Sequence, residues 1–228
     1  MITVEDEVGK IDLNAASAKL IKAALTGFGT EQKAADALAN AIIDFHATPA
    51  GAAQPAPDYA SAGRPFGSKH ALFQSVLELD QVAGFDPTLF RQISPYFTVH
   101  SRHPGVDSQQ APPALFAALS GASPADVQSL MVSPYPNNLD RDDPRFPSAF
   151  KQVGGGGVLL VRAEALLLTG HSAVREEIID LNDAGSAEAP PQYNPSPFAV
   201  KEIRRGRRIF IPQSRAAISS RGLDWPPC

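Results

Sequence analysis

The stretch VEDEVGKIDLNAASAKLIKAAL, residues 4–25, changes its period at Asn14. Before that point Val4, Asp6 and Val8 alternate with Glu5, Glu7 and Gly9 and lead into Ile11 and Leu13, the uneven alternation of a half-buried strand. After it, Leu20, Ile21, Ala24 and Leu25 recur at helical spacing, with Asn14 and Ser17 both suited to cap the helix. An acidic strand therefore feeds directly into a helix. The chain that follows reads as mostly helical up to Met131 and as strands beyond it, which pairs residues 4–13 with the later strands. That order predicts an α+β protein in which a helical block, beginning at Asn14, is inserted into a sheet.

Composition agrees with a largely globular chain of one or two domains: 228 residues, 43% hydrophobic and 19% charged, with 21 Pro and 17 Gly for irregular connections. The formal net charge of −4 is unevenly placed. From Lys201 to the end seven basic residues stand against Glu202 and Asp224, leaving the first 200 residues strongly acidic and a poor match for nucleic acid. The lone Cys228 excludes an internal disulfide and leaves the redox compartment open. No apolar run approaches the ~20 residues of a membrane span, and no leader is seen, so the chain as it stands reads as soluble.

Along the chain, Ala18–Leu25 and Glu31–Phe45 read as helices around LTGFGTEQ, the second burying Ala34, Leu38, Ala41, Ile42 and Phe45. Residues 47–70 are a loop by their breakers. Ser75–Val82 and a helix from Asp86 or Pro87 to Ile93 form a second helical pair with Pro87 suited to the first turn, and SPYFTVHS, 94–101, reads as a short strand. Pro113–Leu119 and Pro124–Met131 form a third pair. GVLLVRAEALLL (157–168) and VREEIIDLN (174–182) read as strands hinged at TGHS, with GRRIFIP (206–212) as a third.

Several of these words in this order, EDEVGKIDLNAAS, AIIDF, DYASAGRPFGSKHALFQSVLELDQVAGFDPTLFRQISPYFTVHS and VREEIIDL, resemble the K component of type II secretion systems, a large minor pseudopilin. The resemblance runs over residues 4–182. It implies a pilin-like antiparallel sheet with a large inserted helical domain of helix-hairpin-helix/SAM-like type. The residue patterns divide the chain into a first strand (1–14), the helical insertion (15–132), a loop with the remaining strands (133–212) and, where no period is left, a mobile tail (213–228); nothing is carried over from the family beyond Gly185. The resemblance also implies a non-enzymatic part at the tip of the periplasmic pseudopilus, with minor pseudopilins I and J as partners and exported proteins as further contacts. Family members start with a leader and a long apolar helix that anchors in the inner membrane. Neither is found in this sequence, which starts where the family is already in its sheet.

Candidate sites are few. LTGFGTEQKAADAL resembles the turn of a helix-hairpin-helix, whose amides bind a DNA phosphate, which makes a nucleic-acid-binding protein the alternative function. Against it, only Lys33 is basic there, and VAGFDP sets Asp86 where a phosphate would sit. The turns read as packing units, and no nucleic-acid partner is expected. NNLDRDDPRF offers Asn138, Asp140, Asp142 and Asp143, oxygen donors of the kind calcium takes. Asp143 stands where an EF-hand loop needs Gly, and Ala149 where it needs Glu, so the choice lies between a family-type calcium site and a solvated acidic loop. His46, His70, His100, His103 and His171 read as surface or loop residues without a zinc set. No Gly-x-Ser-x-Gly or phosphate-binding loop is present, and GGGG (154–157) reads as a hinge, so no catalytic residue or organic cofactor is assigned. KEIRRGRRIF suits acidic lipid or an acidic partner, or an edge strand kept soluble by Arg; the second reading is favoured.

Overall fold

The fold was taken from a computed structural model, which describes residues 1–48, 59–60, 63, 66–132, 144–152, 154, 156–166, 172–182 and 199–205. The chain starts as β1 (Ile2–Asp6), turns through a 3-10 helix at Glu7–Gly9, and continues as β2 (Ile11–Asp12). Residues 4–13 are thus two strands in two sheets. The break arises at Asp6, whose carboxylate accepts from the Val8 amide at 3.0 Å and holds the turn. β1 pairs antiparallel with β4 (Val158–Leu166), from Ile2 opposite Ala163 to Asp6 opposite Leu159. β2 instead pairs parallel with β3 (Phe97–Thr98). Ile11 and Leu13 are fully buried in the helical core, so the chain is inside that block before it reaches Asn14.

Ser17, not Asn14, caps α1 (Ala18–Gly27), its hydroxyl accepting from the Leu20 amide. Asn14 serves a different purpose, donating to and accepting from the backbone of Phe73 at 2.9 and 2.8 Å. α2 (Gln32–His46) is capped by the Glu31 carboxylate and buries Ala35, Leu38, Ala41, Ile42 and Phe45; Ala34, expected inside, faces out. Ser75–Val82, expected as an α-helix, is a 3-10 helix over Val76–Gln81. α3 (Pro87–Ile93) has Pro87 in its first turn and Asp86 as cap. Of the expected strand at 94–101, Ser94–Tyr96 is a 3-10 turn and Phe97–Thr98 alone is extended, as β3, inside the helical block. α4 (Pro113–Ser120) and α5 (Pro124–Val132) complete the block. Gly27 lets α1 approach α4, because a Cβ there would lie 2.1 Å from the Ala118 carbonyl oxygen.

β4, β5 (Ser172–Asp180) and β6 (Ala199–Arg205) extend the main sheet in the order β1-β4-β5-β6, all antiparallel. A late strand forms at Ala199–Arg205; residues 206–212, where a strand was expected, lie outside the described residues, as do residues 169–171 of the TGHS hinge. The described apolar core is drawn from residues 11–150, and none of it comes from the main sheet, whose one fully buried apolar side chain is Ile178. The architecture is α+β. No helix among the described residues is long and apolar enough to cross a membrane.

Candidate functional site

Where the sheet meets the helical block, the Glu7–Gly9 turn carries three charged neighbours inward. Lys10 Nζ lies 2.6 Å from Glu7 Oε1 and 3.2 Å from Glu5 Oε2. The second Glu7 oxygen accepts from the Thr98 hydroxyl on β3. Asp12 accepts from the Asn14 and Arg102 amides, both at 2.8 Å, and from the Ser101 hydroxyl at 3.3 Å. Glu7, Lys10 and Asp12 are at most 4% exposed. Buried charges survive when paired and hydrogen-bonded, as here. With its partners mutually satisfied, the cluster acts as a clamp between sheet and helices.

The main sheet has two unlike faces. Strand alternation and the register put Val4, Val161, Glu177 and Ile203 in one row, flanked by Ile2, Leu159, Ala163 and Ile179 on the same side. Ile2, Val4 and Ile203 are 72%, 57% and 61% exposed, and Leu181, just beyond β5, is 48% exposed. The other face carries Arg162, paired with Glu176. A largely apolar row, broken by Glu177 and its ion pair with Arg175 and left open on one side, is the mark of a docking surface. The signal lies in Ile2 and Val4, but the alternation is read only from Val4 onward, and neither this face nor the clamp is recognised from the sequence.

The two helical turns are closed to an anion. In the first, the amides of Phe28, Gly29 and Thr30 donate to the carbonyls of Ala24, Thr26 and Leu25. The α2 N-terminus is occupied by Glu31, which accepts from Lys33 and Ala34 at 2.9 and 3.0 Å. In the second, Asp86 accepts from Thr88 and Leu89 at 2.7 and 3.0 Å, and these bonds hold its carboxyl below the usual range. A carboxylate thus fills both positions that a phosphate would need.

Asn138, Asp140, Asp142 and Asp143 lie outside the described residues, as does His171. Among the described residues no group of three or more His, Cys, Asp or Glu is placed to hold a metal. His46 departs from its surface reading: its Nε2 is enclosed without a hydrogen-bond partner among the described residues, and burial pushes its pKa below 6.5 against the opposing pull of Asp12. His70 lies with its ring Nδ1 2.9 Å from the Ala47 carbonyl. The backbone amides of His100 and His103 turn inward to Thr98 and Ser101. The basic segment opens with β6, an outer strand of the sheet among the described residues, where Lys201 approaches Asp180 at 3.8 Å.

Residues 5–102 match the family model for type II secretion system protein K. Among solved structures, a chain in the crystal structure of the GspK-GspI-GspJ complex from the enterotoxigenic Escherichia coli type 2 secretion system is similar at a TM-score of 0.61 and 14% identity, covering 91% of this chain and 79% of that one. No curated protein matches.

Proposed function

We propose that this chain, whose residues 5–102 match the family model for type II secretion system protein K, is a non-enzymatic minor pseudopilin acting at the tip of the pseudopilus in protein export. Its work is shape and contact. The helical block broadens the tip, and the sheet docks on neighbouring minor pseudopilins, I and J of the same system; exported proteins are further contacts. The chain works in the periplasm, and the full-length family form is held in the inner membrane by its N-terminal helix. The observation that carries the docking role is the open apolar row of the sheet, with Ile2, Val4 and Ile203 all more than half exposed. Calcium held by Asn138, Asp140, Asp142 and Asp143 belongs to the same proposal, as a brace for the connection between helices and sheet.

The test is size exclusion of this chain mixed with the soluble domains of I and J, with and without millimolar calcium, beside a thermal melt. A ternary complex is expected, with a higher melting temperature in calcium. Failure to associate, with each partner shown to be folded, overturns the tip role. An unchanged melt and no heat of binding in calorimetry overturn the calcium site alone.

A further inference from the structure

The first strand carries a second feature, distinct from its apolar face. Met1 and Glu164 exchange both backbone hydrogen bonds, at 2.7 and 2.8 Å. In an antiparallel ladder such pairs alternate, so Thr3 and Glu5 also turn their amides and carbonyls toward β4. Ile2, Val4 and Asp6 turn theirs the other way, to an edge that no strand among the described residues covers. Natural sheets blunt such edges with Lys, Pro or a bulge. Ile2–Asp6, reading ITVED, contains none of these.

Beside this edge runs a cleft of about 300 Å³, lined by Val4, Glu5, Asp6 and Lys10 and, opposite them, by the segment from Gln109 to Pro113. Consecutive strand residues point to opposite faces, so a cleft touching all of Val4, Glu5 and Asp6 lies along the edge itself. Close by, Gly9 lets the two sides approach: a Cβ there would lie 2.3 Å from the Gln110 carbonyl oxygen. The cleft is acidic in balance: Lys10 is already committed to Glu5 and Glu7, and Asp6 adds a further carboxylate.

We propose that this edge and cleft seat an extended segment of a neighbouring minor pseudopilin, which adds a strand to β1 and brings a basic side chain to Glu5 and Asp6. An extended backbone is the chemistry that satisfies outward amides and carbonyls at every second residue. The acidic rim selects a basic segment over an acidic one. The inference rests on the tip role proposed above and assigns the contact within it.

The test is amide hydrogen exchange on the unaltered chain, alone and mixed with the soluble domains of I and J, beside binding by the Val4→Pro variant. Residue 4 gives no ladder bond to β4, and Pro is tolerated on edge strands, so that variant removes one outward donor and keeps the sheet. The expected result is about tenfold slower exchange or more at Val4 and Asp6 in the complex, and binding weakened about tenfold or more by Val4→Pro, more than a kcal/mol-scale rim contact would give. A complex in which these two amides exchange as in the free chain overturns the edge contact and leaves the tip role standing. Slowing with rising concentration of this chain alone identifies a second copy as the occupant and also overturns it. No complex at all removes both.

Discussion

At the scale of single residues, His46 shows two opposing effects and which one wins. It ends α2, where the helix dipole favours a cation, and Asp12 pulls in the same direction. Desolvation is larger: the ring sits edge-on to Phe73, 5.9 Å between centroids, with Nε2 enclosed, and its pKa falls below 6.5. A histidine depressed in the folded state leaves stability intact above pH 6.5 and withdraws it as pH falls below that value, because the unfolded chain then takes up a proton that the folded one resists. Replacing His46 with Leu should therefore flatten the fall in melting temperature between pH 7 and pH 5 by about 2–4 °C relative to the parent chain. Parallel pH profiles for the two proteins in a thermal melt would refute this. The sequence concealed the burial because His46 closes a helix beside a long irregular segment, where a polar residue reads as exposed. Asp86 was legible in part: VAGFDP set it where a phosphate would sit, and the structure shows that it holds that place as the cap of α3.

At the scale of elements, the five α-helices follow their sequence periods closely, and the departures have local causes. Val76–Gln81 is a 3-10 helix, the Glu78 amide donating to the Ser75 carbonyl and the Val82 amide to that of Leu79, with the Ser75 hydroxyl drawing in the Leu77 amide as cap. The strand expected over 4–13 breaks because Asp6 does the same to Val8, and no periodicity argument registers one side-chain bond. The close approach of α1 to α4 was equally out of reach, since Gly27 and Gly29 read alike as turn residues. The structure separates them. Gly29 needs its φ of +93° and has open space around it, whereas Gly27 has the Ala118 backbone where a side chain would begin. Gly27→Ala should consequently cost several kcal/mol by forcing two helices apart, against about 1–2 kcal/mol for the φ strain of Gly29→Ala. Urea unfolding of the two variants decides it, and an equal or inverted order would show that α1 and α4 separate easily.

At the scale of the whole molecule, the sheet contributes almost nothing to the helical core, so its attachment depends on the segment from Glu7 to Asp12. Two backbone bonds help there, Asp107 donating to Val8 and Leu13 donating to Thr98 at 3.0 and 2.9 Å. The buried Lys10 and Glu7 are the larger lever, because removing one partner strands the other charge in the interior. The alternation of a half-buried acidic strand carries no sign that these two residues are enclosed; the turn at Asp6 folds them in. The architecture predicts a strongly non-additive pair. Lys10→Met alone should cost about 3–5 kcal/mol, since Glu7 keeps the Thr98 hydroxyl but loses its counter-charge. Adding Glu7→Gln removes the stranded charge and keeps an acceptor for Thr98, so the double variant should regain more than half of that loss. Chemical denaturation of the parent, the two single variants and the double variant closes the cycle. A double variant as unstable as the sum of its singles would mean that the ion pair is incidental, and that the Gly9 approach to Gln110 and the backbone bonds hold the sheet to the helices.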